Sequence, residues 1–133
     1  MRIASIEGVG QVHTKTLSQA GIKSTQALLK IAATVNGRKE LEEKTKIAHK
    51  QLLDWVNRAD LMRIKGIGEE YSDLLEKAGV DTVVELANRN ADNLLEKVIA
   101  INKEKKLVRQ LPVLSMITDW IKQAKKLPRV VEY

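Results

Sequence analysis

Apolar residues recur along the chain mostly at spacings of three and four, the period of an amphipathic α-helix. This pattern, with Gly, Pro and capping Ser or Thr at the boundaries, predicts helices near residues 10–20, 24–34, 37–45, 48–62, 68–78, 82–89, 92–102, 103–111 and 114–126. No segment shows the alternation of a strand convincingly, although residues 130–133 suit an extended end. We therefore expect an all-α protein.

Two short segments of the chain share a Gly-apolar-Gly pattern. The first glycine turn (residues 6–10) reads Ile-Glu-Gly-Val-Gly, and the second glycine turn (residues 64–68) reads Ile-Lys-Gly-Ile-Gly, at an offset of 58. The same offset pairs further residues of like type: Leu17 with Leu75, Ala20 with Ala78, Gly21 with Gly79, and Ser24 with Thr82. This repeat predicts two pseudo-symmetric copies, residues 1–60 and 61–133, packed as one compact unit.

The paired positions also predict the local structure of each copy. Glycines at a tight turn permit positive φ, and such a turn opens a helix. Gly21 and Gly79 suit the C-caps of those helices, and Ser24 and Thr82 suit the N-caps of the next ones. Each copy is therefore predicted to be a helix-hairpin-helix unit.

These features carry two resemblances to known families. The glycine turns, with Leu17 and Leu75, resemble paired helix-hairpin-helix domains of DNA repair, recombination and replication proteins. Nearly the whole chain, including residues 55–61 and 105–109, resembles a bacterial and cyanobacterial family of small proteins that is catalogued as a domain of unknown function. The first resemblance implies contact with a nucleic-acid backbone, and the second supports the fold and implies no established activity.

The glycine turns are the first candidate binding site. Backbone N–H groups and the helix dipole at a helix start can hold a phosphate oxygen. The candidate residues are Gly8, Val9, Gly10, Gln11, His13 and Lys15 at the first turn, and Lys65, Gly66 and Gly68 at the second. Because Glu69 and Glu70 follow the second turn and repel phosphate, we expect that turn to be structural and the first to be the better phosphate site.

Charge points to a second candidate region, near the end of the chain. The net charge is +6, and residues 103–129 hold eight basic and two acidic residues, so the rest of the chain balances. The candidate phosphate contacts there are Lys103, Lys105, Lys106, Arg109, Lys122, Lys125 and Lys126. Such a segment attracts nucleic acid or an acidic protein surface, and it also suits a solvated helix face.

Composition and motifs argue against several other functions. The chain has no Cys, its two His residues lie apart, and it has no Walker loop, nucleophile elbow or acidic metal cluster. We therefore expect no enzymatic activity, no metal and no cofactor. The first ten residues do not form a signal peptide and no apolar run is long enough to span a membrane, so the expected location is the cytoplasm.

Two further features have competing interpretations. Residues 38–58 suit either an αα-hairpin or a helix-turn-helix, and the αα-hairpin is favoured. Trp55 and Trp120 recur in Asp-Trp pairs at an offset of 65, and we expect them in the core rather than stacked on bases.

Together these observations favour sequence-nonspecific binding of duplex DNA. The alternative is a protein-interaction or scaffold module that docks an acidic partner.

Overall fold

Eight α-helices and one 3₁₀ turn make up the regular structure of the protein. The computed structural model describes all 133 residues. After the 3₁₀ turn Ile3–Ser5, the helices are α1 (Gly10–Gln19), α2 (Thr25–Ala32), α3 (Val35–Thr45), α4 (His49–Leu61), α5 (Glu69–Lys77), α6 (Val83–Ala87), α7 (Ala91–Lys105) and α8 (Leu114–Lys126). The only β-type pairing is an isolated bridge between Arg2 and Ser24. The all-α prediction is therefore confirmed.

The predicted helix at residues 103–111 is wrong. Helix α7 continues to Lys105 and ends where Lys106 takes a left-handed conformation, with φ 51°. The Asn102 side chain then binds the backbone of Val108, accepting from its N–H at 2.9 Å and donating to its C=O at 3.4 Å. This amide holds the chain in a turn that helical periodicity does not reveal.

The chain divides into two compact units. Unit 1 comprises Met1–Asp60 with Val130–Tyr133, and unit 2 comprises Leu61–Arg129. The structure thus places the last four residues with unit 1. That the two sequence copies pack together as one body stays a prediction.

The end of α1 in unit 1 and the end of α5 in unit 2 have the same backbone geometry. In unit 1, Gly21 has φ +89° and the N–H of Ile22 donates to the C=O of Leu17 at 2.8 Å. In unit 2, Gly79 has φ +90° and Val80 donates to Leu75 at 2.9 Å. Both are Schellman-type ends, in which glycine accepts positive φ without strain.

The predicted N-caps of the next helices are also present. The Ser24 hydroxyl accepts from the N–H of Ala27 at 3.0 Å at the start of α2. The Thr82 hydroxyl accepts from the N–H of Glu85 at 3.4 Å at the start of α6. Each cap satisfies a backbone donor that the helix leaves unpaired.

Both tryptophans are buried, as predicted. In unit 1, Trp55 is fully buried and its ring lies 5.1 Å from that of His13. In unit 2, Trp120 is 2% exposed and lies 5.2 Å from the ring of Tyr71. Trp120 belongs to an apolar cluster whose other members include Leu61, Ile64, Ile67, Leu74, Leu75, Val80, Leu86, Val98 and Ile117.

Unit 1 contains two buried arginines, Arg38 and Arg58, and Arg38 of α3 binds three backbone carbonyls. It donates to the C=O of Ala32 at 3.0 Å, of Ala33 at 2.8 Å and of Glu132. Its Nε also donates to Nε2 of His49 at 3.3 Å. Burial lowers the pKa of the guanidinium, while Tyr133 and Glu132 raise it in part. The side chain is therefore an interior structural group, and it ties the C-terminal residues to unit 1.

Helices α3 and α4 meet at a turn of three residues. The turn begins at Lys46, which has φ 63°, and the carboxylate of Glu42 accepts from the N–H of His49 at 2.9 Å. Because Arg38 is 1% exposed, it is not part of a surface that could read DNA. Lys50 and Gln51 at the start of α4 are exposed, so the preference for an αα-hairpin over a helix-turn-helix stays a prediction.

Candidate nucleic-acid interface

The first glycine turn is anchored by its apolar residues. Ile6 and Val9 are 1% and 2% exposed, and the N–H of Val9 donates to the C=O of Ile6 at 3.3 Å. Gly8 and Gly10 have φ +90° and +72° and face open space, since a Cβ on either would meet no atom within 4 Å. The turn therefore buries its apolar side chains, leaves Glu7 exposed, and exposes the backbone of its glycines.

Helix α1 begins at this turn with an uncapped end, three residues after the exposed Glu7. Val9 at the N-cap makes no side-chain hydrogen bond, and the first turn contains no acidic residue. The N–H groups of Gly10, Gln11 and Val12 have no hydrogen-bond acceptor in the chain. Unpaired donors with the positive end of the helix dipole make this end able to accept an anion.

A cavity of about 580 Å³ adjoins the start of α1. Its lining residues are Ala4, Gly10, Gln11, Thr14, Lys15, Ser18 and Gln19. Lys15 is exposed and has no ion-pair partner, so its charge is available to a bound anion. The cavity thus brings three of the candidate residues of the first turn together.

His13, another candidate residue, occupies a different environment. Its Nδ1 lies 3.1 Å from the C=O of Val9, its ring packs against Trp55, and its side chain is partly buried. His13 also does not line the cavity. Its contacts therefore support the fold of unit 1.

The second glycine turn is covered by helix α8. A Cβ on Gly66, which has φ +103°, would lie 3.0 Å from Nε1 of Trp120. Gln123 accepts from the N–H of Lys65 at 2.9 Å and donates to its C=O at 3.0 Å. The backbone groups at Lys65 are therefore already used within unit 2.

Carboxylates occupy the start of α5, which follows this turn. Glu69 and Glu70 lie in the first helical turn, and Glu70 accepts from the backbone N–H of Arg109 at 3.3 Å. The Arg109 guanidinium lies 3.5 Å from the same carboxylate. The adjacent cavity, about 590 Å³, is lined by Gly68, Glu69, Glu70, Tyr71, Val108, Arg109 and Gln110. Arg109 is the one cation there, and Glu70 already pairs with it, so this end disfavours phosphate.

The other basic candidates are exposed side chains of unit 2. Lys103 and Lys105 lie in the last turn of α7, and Lys106 caps that helix. Lys125 and Lys126 lie in the last turn of α8, and Lys122 lies one turn earlier. Cations near the C-terminal end of a helix interact favourably with the helix dipole and stabilise the helix whether or not a ligand is present.

Two of these lysines line a third cavity, of about 400 Å³, with residues that the sequence did not suggest. Lys122 and Lys125 meet Thr118 of the same helix and Arg89 of the loop between α6 and α7. The spacing of Thr118, Lys122 and Lys125 is a helical one and was available from the sequence. Arg89 lies far from them in the chain, and only the fold brings it close.

The structure contains no group of three or more His, Asp or Glu side chains placed to hold a metal ion. It also has no helix of the length and apolar character needed to cross a membrane.

These features define a small all-α protein with one open and one closed glycine turn. Residues 7–127 match the model of the family described as Domain of unknown function (DUF4332), and the chain belongs to that family. No solved structure matches the chain.

Proposed function

We propose that the protein binds duplex DNA without reading its base sequence, through two diverged helix-hairpin-helix copies. The open start of α1 at the first glycine turn is the observation that carries the proposal. Phosphate contacts of this kind position a protein on a duplex and carry no base information.

Hydrogen bonds at matching positions support the two-copy part of the proposal. Val9 donates to Ile6 at 3.3 Å, and 58 residues later Ile67 donates to Ile64 at 3.1 Å. The bonds at the helix ends and N-caps described above recur at the same offset. A shared offset for turn, helix end and cap is typical of duplicated units.

The two copies differ in the charge that they present to a phosphate. The start of α1 has unpaired N–H groups, a neighbouring Lys15 and no carboxylate in its first turn. The start of α5 has Glu69 and Glu70. In this proposal the first copy supplies the backbone N–H contacts, and the second copy contributes through its basic surface.

Replacing Gly10 with aspartate is expected to raise the Kd for a duplex about tenfold or more, since a charge-assisted hydrogen bond is lost and a carboxylate faces the phosphate. Gly10→Asn has nearly the same shape and φ preference without the charge, so it should cost clearly less. Fluorescence anisotropy of a labelled duplex of arbitrary sequence measures both.

Gly21→Asp is the matched control for this experiment. Gly21 also lies in unit 1 and has φ +89°, and a Cβ added to it would meet no atom within 4 Å. Its variant adds the same charge at a second glycine of positive φ that does not line the cavity. Equal loss of binding in Gly10→Asp and Gly21→Asp would mean that the start of α1 is not the phosphate site.

A protein partner with an acidic surface is the second candidate. It is favoured by three exposed apolar residues in unit 2, Leu111, Val113 and Leu114, of which Val113 is 55% exposed. Apolar side chains beside basic ones suit a protein surface better than a phosphate backbone. Under this function Lys105→Glu with Lys106→Glu should abolish partner binding, while Gly10→Asp should leave it intact.

A further inference from the structure

A groove in unit 2 gathers positive charge from two separate elements. We name it the α8 groove and define it by Arg89, Thr118, Ile121, Lys122 and Lys125, which line the cavity of about 400 Å³. Four of the five lie on one face of α8, at helical spacing. Ile121 is 6% exposed and forms an apolar part of the groove wall. The polar side chains of the groove therefore lie around a buried, well-packed residue of α8.

Arg89 is held in place with part of its guanidinium free. Its Nε and Nη2 donate to one carboxylate oxygen of Glu85 at 3.3 and 3.0 Å, and Nη2 also donates to the C=O of Gly79 at 2.9 Å. Its Nη1 has no acceptor in the chain. A guanidinium fixed on one edge presents the other edge to an anion with little loss of entropy on binding.

Lys122 and Lys125 add charge that the chain does not neutralise. Both are exposed, and neither forms an ion pair. Asp119, the acidic residue of α8, instead accepts from the side chain of Gln123 at 2.8 Å. Each of the two sites has an arginine paired with a glutamate, Arg89 with Glu85 in the groove and Arg109 with Glu70 at the start of α5. The groove differs because it also has two lysines without an ion pair.

We propose that the α8 groove is a phosphate-binding site. This inference rests on the proposed function: unit 2 binds the nucleic-acid backbone at the α8 groove rather than at the second glycine turn. Arg89 and the two lysines supply charge, and the Thr118 hydroxyl supplies a further donor to a phosphate oxygen. Of the seven basic residues that the sequence suggests as phosphate contacts near the end of the chain, the groove contains two, Lys122 and Lys125. The groove adds Arg89 and Thr118 to the predicted contacts.

The test compares two double variants of the whole protein that lose the same charge. Lys122→Gln with Lys125→Gln removes both lysines from the groove, and neither forms an ion pair in the protein. Lys103→Gln with Lys105→Gln removes two exposed lysines in the last turn of α7, outside the groove. Arg89 is left unchanged because its bonds to Glu85 and Gly79 also support the fold.

Duplex binding by anisotropy is the first readout. We expect the groove variant to lose about tenfold in affinity and to lower the salt slope by roughly two, while the control variant loses less than about threefold. Equal losses in the two variants would overturn the groove and leave duplex binding standing.

Inorganic phosphate, titrated into the ¹⁵N-labelled protein by NMR, is the second readout and distinguishes a free phosphate from a backbone phosphate. We expect saturable shifts at the amides of Lys122, Lys125 and Ala91, which also lines the cavity, and we expect them to disappear in the groove variant. With no duplex binding, such shifts would overturn the proposed function and support the phosphate site. Absence of the shifts, with duplex affinity unchanged in the groove variant, would overturn the site.

Discussion

Replacing Arg38 with methionine is expected to lower the free energy of unfolding by about 3–5 kcal/mol. Methionine has a similar length but no donor. The substitution therefore leaves the carbonyls of Ala32 and Glu132 without their present donor, while that of Ala33 keeps the N–H of Glu132 at 2.8 Å. Each buried acceptor without a donor costs about 1–3 kcal/mol, less what water recovers by entering the site.

Urea unfolding followed by far-UV circular dichroism measures this loss. Lys39→Met is the matched control, because Lys39 is the next residue of α3, is exposed and forms no ion pair. That control should change stability by at most about 0.5 kcal/mol. An Arg38→Met protein as stable as the Lys39→Met protein would show that the buried bonds contribute little.

Replacing Trp120 with alanine is expected to cost about 3–5 kcal/mol, the range for removing a buried large aromatic ring. The indole is 2% exposed, packs on Tyr71 with ring centres 5.2 Å apart, and lies against Gly66 of the second glycine turn. Its removal therefore opens a cavity between α8 and that turn. The loss should also release the ring of Tyr71.

Thermal unfolding, with the near-UV signal of tyrosine as a local probe, tests this expectation. Leu114→Ala is the control on the same helix, because Leu114 is 40% exposed and its truncation should cost well under half as much. A small loss in Trp120→Ala, similar to that of the control, would mean that α8 does not depend on the indole for its packing.

Local structure was the part of the fold most accessible from the sequence. Gly21 and Gly79 at helix ends, and Ser24 and Thr82 at helix starts, each have one dominant physical use, so pattern and structure agree. The burial of Trp55 and Trp120 followed from their recurrence with apolar neighbours at helical spacing. The all-α class followed from the sum of such local signals.

Contacts between distant residues were not accessible in the same way. The Asn102 side chain binds the backbone of Val108 and so holds the turn that follows α7. The sequence does not reveal this contact, because Asn102 is a polar residue within a helical pattern. Arg38 has the sequence character of a surface residue, yet it is buried because backbone carbonyls of α2 and the C-terminal segment converge on it. Such burial depends on the tertiary fold.

In the candidate site, too, the sequence predicts local features but not the contacts between distant residues. Glu69 and Glu70 predict from the sequence that the second glycine turn disfavours phosphate, and the structure places both in the first turn of α5. The pairing of Arg109 with Glu70 was not predictable, since the two residues lie 39 positions apart. Arg89 was missed for the same reason, because only the fold places it beside Lys122 and Lys125.

The anisotropy of a labelled duplex, titrated with the unmodified protein at about 50 and about 200 mM salt, tests the central claim most directly. Contact with about four phosphates predicts saturable binding that weakens by about 10²-fold between the two salt concentrations, with equal affinity for duplexes of unrelated sequence. Absence of binding at the lower salt, or binding that does not respond to salt, would contradict the account.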